Sequence, residues 1–128
     1  MIYLDSSVAL AEILSEKRRP APEFWLSDIN SSRLLEFEVL NRVHAYEPSP
    51  PRLAMARQLL DIVEYLDMTG RSLRRALQPF PVPVRALDGL HLATMDYLHE
   101  RGLPLTLASY DARLLAASEA MGFETVQP

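Results

Sequence analysis

The fold of this chain is decided by its first seven residues, Met1-Ile2-Tyr3-Leu4-Asp5-Ser6-Ser7. Residues 2–4 are strand formers without a polar break, which is typical of a strand covered on both faces. Asp5 ends the strand, and the serines after it suit the start of a helix because residues 8–14 have helical spacing. In open α/β sheets ligands bind at this edge. Asp5 is therefore either a site residue or a simple helix cap, and this segment alone favours neither.

Outward from this stretch, strand and helix patterns alternate along the chain. Strand patterns occupy 28–32, 105–109 and 123–126, with a further candidate at 65–68. Helical patterns occupy 7–15, 33–46, 51–64, 71–78, 87–101 and 111–121. This alternation predicts an α/β fold with a parallel sheet and helices on both faces. The segment 24–26 is either a short strand or a packed turn. We expect one domain spanning 1–128.

Composition restricts the classes of function. The chain has no cysteine, which excludes disulfides, thiolate metal sites and cysteine nucleophiles. It begins with a strand pattern and has no long apolar run, so we expect a soluble cytoplasmic protein without signal peptide or membrane span. The net charge of −4 argues weakly against a broad nucleic-acid footprint. It leaves room for an acidic catalytic cleft.

Four acidic residues have related positions in this pattern. Asp5 and Asp111 follow strands, Asp88 opens the long helix, and Glu38 lies within an apolar helix. Each has an ordinary explanation: helix capping for the strand-end aspartates, the helix dipole for Asp88, and contact with solvent for Glu38. In a parallel sheet, however, Asp5 and Asp111 share one edge, which Asp88 can face.

Clustered carboxylates repel one another, so one must take up a proton unless a cation is present. A hard divalent cation removes that cost. Mg²⁺ prefers octahedral oxygen ligands, with few carboxylates and several waters, and substrate phosphates can complete the shell. The four acids together therefore favour a cation-dependent site over four separate structural roles.

The motifs that contain these acids resemble the PIN domain, and more narrowly the VapC-type toxins of bacterial toxin–antitoxin pairs. The motifs are residues 2–7, 32–42, 87–94 and 109–114. The third is the most specific, and the resemblance covers essentially the whole chain. It implies a three-layer α/β/α sandwich and a ribonuclease dependent on Mg²⁺ or Mn²⁺.

The resemblance also implies the site. By motif position, Asp5, Glu38 and Asp88 correspond to the family's metal-binding acids, and Asp111 to a fourth, more variable one. Glu38 is preferred to Glu36 because it alone has the family's spacing.

Two hydroxyl residues, Ser7 and Ser109, match positions that support such a site. Gly89 departs mildly from the pattern, since the family often has alanine there. Glycine at this position weakens the helix slightly but leaves the role of the neighbouring carboxylate intact.

The implied reaction is hydrolysis of an RNA phosphodiester, leaving a 5′-phosphate and a 3′-hydroxyl. Without a cysteine, or a serine with an evident histidine partner, the nucleophile is water. His91 lies one turn after Asp88 and is more often structural than catalytic in such a position. Arg42 either pairs with Glu38 or contacts phosphate.

Three arginines, Arg71, Arg74 and Arg75, form either a solvated helix face or a contact surface for the RNA backbone. The resemblance further implies a cognate VapB-type antitoxin whose tail blocks the cleft, RNA as substrate with tRNA one candidate, and a homodimer. Met55 and Ile62 on the third helix are one candidate surface for the homodimer.

Three other functions compete. A phosphoacceptor receiver needs a lysine late in the sheet, but Lys17 is the only lysine. A haloacid-dehalogenase-like phosphatase needs a second acid two residues after the first, where this chain has Ser7. The remaining alternative is a PIN-like domain that binds RNA or protein without catalysis.

Overall fold

Five parallel strands form the centre of the fold, and the computed structural model describes all residues from 1 to 128. Their order across the sheet is β3-β2-β1-β4-β5, so β1 is the central strand. The strands are β1 Ile2–Leu4, β2 Ile29–Ser32, β3 Glu64–Leu66, β4 Thr106–Ala108 and β5 Glu124–Val126. The predicted parallel sheet is confirmed.

Six helices cover the two faces of the sheet. They are α1 Ser6–Ile13, α2 Leu34–Tyr46, α3 Pro50–Asp61, α4 Gly70–Ala76, α5 Ala86–Glu100 and α6 Ala112–Ala120. The uncertain segment 24–26 belongs to a 3₁₀ turn, Pro22–Leu26, so the strand interpretation is wrong. None of the helices is both long and apolar enough to cross a membrane.

The central strand contributes to two cores because its successive side chains point to opposite faces. Leu4 packs with α1, α2 and α3, in a core that includes Val8, Val39 and Leu60. Tyr3 packs with α5 and α6 on the other face, together with Leu92 and other apolar residues. This three-layer α/β/α arrangement matches the expected sandwich.

The third helix ends earlier than its apolar pattern predicts. It stops at Asp61 rather than at residue 64, and Glu64 already pairs with Asn30 of β2. Tertiary pairing with the sheet overrides the local helical pattern here.

Two of the predicted acids lie where a strand ends and the next helix begins. Asp5 follows β1 and caps α1, and Asp111 follows β4 and caps α6. Because β1 and β4 are adjacent and parallel, with Leu4 level with Ala108, the residues after them emerge side by side. The start of α5 reaches the same edge.

Candidate active site

An open cavity of about 430 Å³ lies at the carboxyl ends of the central strands. Its wall includes all four predicted acids, Asp5, Glu38, Asp88 and Asp111. Glu36 is not part of this wall and instead pairs with Arg33 on the surface. The fold therefore brings together the four acids predicted from separate motifs, while their catalytic roles stay predictions.

Asp5 is buried and held by hydroxyl groups. Ser7 Oγ and Ser109 Oγ both donate to its Oδ2, the latter at 2.8 Å, and the Ser7 amide donates to the same oxygen at 3.3 Å. Its Oδ1 has no protein hydrogen bond and is not sealed from solvent. Asp5 thus caps α1 and also presents one free oxygen to the cavity, so its capping role is compatible with its predicted role in a site.

The two serines also fix the loop that carries Asp111. The Tyr110 amide donates to Ser7 Oγ at 2.9 Å, and the Asp111 amide donates to Ser109 Oγ at 2.9 Å. Each serine therefore connects the end of β1 with the end of β4. This geometry fits the supporting role predicted for Ser7 and Ser109.

Glu38 is held by a side chain from the other layer. His91 Nε2 contacts Glu38 Oε1, and Ser6 Oγ donates to Glu38 Oε2 at 3.3 Å. The Glu38 side chain is only 16% exposed, so it does not simply extend into solvent. Its only ion-pair partner is His91, so the predicted alternative of a pair with Arg42 is wrong.

His91 is fully engaged on both ring nitrogens. Its Nδ1 lies 2.9 Å from the Tyr3 hydroxyl, and its Nε2 contacts Glu38. Burial alone lowers the pKa of His91, but Tyr3 and Glu38 together raise it above its usual value. His91 therefore connects Tyr3 of the central strand with Glu38 of α2. His91 lies outside the cavity wall, which agrees with a structural rather than a catalytic role.

Asp88 and Asp111 both contact the guanidinium group of Arg85. Arg85 Nη2 donates to Asp111 Oδ2 at 3.1 Å, and Arg85 Nε lies 3.5 Å from Asp88 Oδ2. Burial raises the pKa of Asp88, and the charges of Asp111 and Asp5 raise it further, while Arg85 lowers it. Asp111 also caps α6 through its other oxygen, so capping and a place in the cavity coexist here too.

The chemistry of the cavity wall suits a divalent cation. The wall offers carboxylate and hydroxyl oxygens and no sulfur, which suits a hard cation such as Mg²⁺. No three acidic or histidine side chains are close enough together to hold an ion by themselves. Since Mg²⁺ commonly takes one or two carboxylates and completes its shell with water and substrate phosphate, the residues fit.

Sequence reasoning missed Arg85 and Tyr3. Arg85 stands three residues before Asp88, a spacing at which opposite charges meet on a helix, and that signal was available. Tyr3 lies 88 residues from His91, so no local pattern indicates their contact.

Comparison with known proteins shows which family the chain belongs to. The family model for the PIN domain matches residues 2–120. The chain belongs to the PIN domain family. It is 32% identical to Ribonuclease VapC47 of Mycobacterium tuberculosis (strain CDC 1551 / Oshkosh), over 100% of this chain and 97% of that protein. It is 33% identical, with the same coverage, to Ribonuclease VapC35 of the same strain. The predicted resemblance to the VapC branch of the PIN domain family is therefore confirmed.

A solved structure shows the same fold. The crystal structure of Mycobacterium tuberculosis VapC20, described as a Sarcin-Ricin loop cleaving toxin, has a TM-score of 0.72 with this chain at 20% sequence identity. The match covers 100% of both chains. The fold seen in that structure is thus shared along the whole of this chain.

Proposed function

We propose that this protein is an endoribonuclease that hydrolyses RNA phosphodiester bonds and acts as the toxin of a toxin–antitoxin pair. One observation carries the proposal: four carboxylates line a single cavity at the edge of the sheet where α/β proteins bind ligands. The full-length relatives named as VapC ribonucleases support it.

The proposed cofactor is Mg²⁺ or Mn²⁺, with Asp5, Glu38, Asp88 and Asp111 as the proposed ligands. One or two of these carboxylates would hold the ion directly, and the others through water. When bound there, the cation would lower the pKa of a water molecule and offset negative charge on the phosphoryl oxygens. The free Oδ1 of Asp5 and the closeness of four acidic side chains in one cavity both support a site that attracts positive charge.

The side chains of the protein orient the reaction. Ser7 and Ser109 fix Asp5, and His91 fixes Glu38, so the carboxylates need little reorganisation when the substrate binds. A carboxylate of the cavity, Asp111 in this proposal, orients the water that attacks phosphorus. The bond from phosphorus to the 3′ oxygen breaks, and that oxygen takes its proton from solvent.

Two partners are proposed for the acidic cavity. RNA is the substrate, with tRNA as one candidate, and a VapB-type antitoxin blocks the acidic cavity with a basic residue of its tail.

The arginines of α4 differ in their contacts. Arg71 pairs with Glu100 and Arg75 with Asp96. Of the three arginines predicted for RNA contact, only Arg74 has no ion pair, which supports it as the backbone contact.

A homodimer is also proposed, through α3. Met55 and Ile62 are large apolar side chains that are 44% and 48% exposed in the single chain. In the proposed homodimer a second copy buries them.

The test is cleavage of a total RNA pool by the purified, partner-free protein with Mg²⁺, with Mn²⁺ and with chelator. Asp88→Asn is the test variant, and Asp67→Asn is the control, since Asp67 is an exposed acid paired with Arg33 outside the cavity. We expect discrete products that require metal, persist in Asp67→Asn and disappear in Asp88→Asn.

Circular dichroism would verify that each variant is folded. Absence of cleavage by folded protein under every metal condition would contradict the nuclease proposal and favour a domain that binds RNA or protein without catalysis.

A further inference from the structure

Arg85 is the one basic side chain in the wall of the acidic cavity. It precedes α5 and reaches one aspartate in the first turn of that helix and one at the start of α6. Its side chain is 61% exposed, whereas those of Asp88 and Asp111 are 17% and 29% exposed. The guanidinium therefore lies at the mouth of the cavity, with its partners deeper inside.

This contact limits what the two aspartates can do. Asp88 and Asp111 each direct Oδ2 towards Arg85. Asp111 also uses Oδ1 to accept from the Arg113 amide at 2.9 Å. Both oxygens of Asp111 thus already have a protein partner, and a cation at Asp88 and Asp111 competes with the positive charge of Arg85 for them.

We propose that Arg85 is an exchangeable counter-ion of the site. It neutralises Asp88 and Asp111 until a divalent cation binds, and then turns outwards to bind a phosphate of the RNA. This inference rests on the proposed function, because it concerns how that cation and that substrate enter.

The chemistry of the side chain suits both positions. A guanidinium is always charged, and its planar donors match carboxylate and phosphate equally well. Half-exposed ion pairs are weak, so the exchange costs little free energy. Cation and RNA then assist each other: the cation releases Arg85 for phosphate, and phosphate keeps Arg85 away from the aspartates. By linkage each raises the affinity of the other.

The first test measures Mn²⁺ binding to the full chain by isothermal titration calorimetry without RNA. Arg85→Gln is expected to bind Mn²⁺ roughly tenfold more tightly than the wild type, because two competing ion pairs are lost. Arg33→Gln is the matched control. Arg33 is 56% exposed and also joins an acid three residues on, Glu36, to a distant one, Asp67, but outside the cavity.

The second test measures cleavage kinetics, at several salt concentrations, on an RNA that the experiment with the total RNA pool shows to be cleaved. Arg85→Gln is expected to raise KM severalfold and to reduce the slope of log affinity against log salt concentration by about one. Arg85→Lys keeps the charge but lacks the planar donors. It is expected to have the salt slope of the wild type and a KM between those of the wild type and Arg85→Gln.

The outcomes separate the two proposals. Wild-type protein that binds Mn²⁺ as tightly as Arg85→Gln, or more tightly, overturns the counter-ion role and leaves the nuclease intact. If Asp88→Asn binds Mn²⁺ as tightly as the wild type does, the proposed metal site is contradicted, and the counter-ion role with it. Tighter binding by Arg33→Gln as well would reduce the effect to net charge and also overturn the inference.

Discussion

Replacing Ser109 by alanine should loosen the acidic cavity and lower the stability of the protein together. Ser109 is fully buried, donates to Asp5 Oδ2 at 2.8 Å and accepts from the Asp111 amide at 2.9 Å. The substitution removes one oxygen atom and creates almost no cavity, so loss of these two hydrogen bonds dominates the effect.

The expected cost follows from the burial of the groups left behind. Removing one partner of a buried polar pair costs about 1–3 kcal/mol, and more when the remaining group is charged. Asp5 keeps its contacts with Ser7, which limits the loss. For a chain of this length 1 kcal/mol corresponds to about 4 °C in Tm, so we expect a decrease of roughly 4–12 °C.

The chain offers a matched control in Ser118. Ser118 is also fully buried, but its hydroxyl has no hydrogen-bond partner. Ser118→Ala in α6 should leave the free energy of unfolding unchanged or raise it, because an unpaired hydroxyl is removed and alanine favours the helix by about 0.5 kcal/mol.

Urea denaturation followed by circular dichroism would measure both free energies of unfolding, and RNA cleavage would measure the consequence for the site. Ser109→Ala should lower the cleavage rate roughly ten- to a hundredfold through misplacement of Asp5, while Ser118→Ala should keep it. Equal stability of the two variants would refute the reasoning, as would full activity of Ser109→Ala.

Two further predictions concern other parts of the molecule. Tyr3→Phe leaves His91 Nδ1 unpaired and should lower the free energy of unfolding, measured by urea denaturation, by about 1–3 kcal/mol. It should also lower the cleavage rate, because Glu38 loses its support. The control is Tyr65→Phe, which removes a hydroxyl that donates to the Leu60 carbonyl away from the cavity and should keep the cleavage rate. Equal rates for these two variants would argue against support of Glu38 through His91. The double variant Met55→Glu with Ile62→Glu should be monomeric by size-exclusion chromatography with light scattering, whereas Leu26→Glu, at an 86% exposed position elsewhere, should keep the wild-type mass. A dimer in the double variant would exclude α3 as the interface.

Local patterns were sufficient for the order of elements and for the edge that carries the acids. Asp5 and Asp111 could be placed together because residues after neighbouring parallel strands must emerge side by side. Glycine after helices also predicted their ends: Gly102 and Gly122 have φ values of +79° and +88°, which glycine tolerates best.

Contacts between distant segments were beyond local patterns. The contacts of His91 with Tyr3 and Glu38 depend on how α5 and α2 pack across the sheet, which residue spacing does not encode. The contact of Arg85 with Asp111 likewise depends on the start of α6 lying beside the start of α5.

The position of Gly89 shows a similar limit. Sequence comparison treats it as a slightly weaker helix residue, but an added Cβ would lie 3.3 Å from Val84 Cγ2 and 3.5 Å from the Phe80 ring. The loop before α5 packs closely over this glycine, so the preference for it depends on tertiary structure.

The double use of Asp5 and Asp111 bears on how a protein with the proposed toxin function would lose its toxicity over generations. Each aspartate begins a helix as well as lining the cavity. Most replacements would therefore damage folding and catalysis at once, and the descendants would be degraded. Asparagine is the exception, because it caps a helix about as well as aspartate without carrying charge. Harmless but folded descendants, still able to occupy an antitoxin, are thus expected to arise chiefly through asparagine at these two positions.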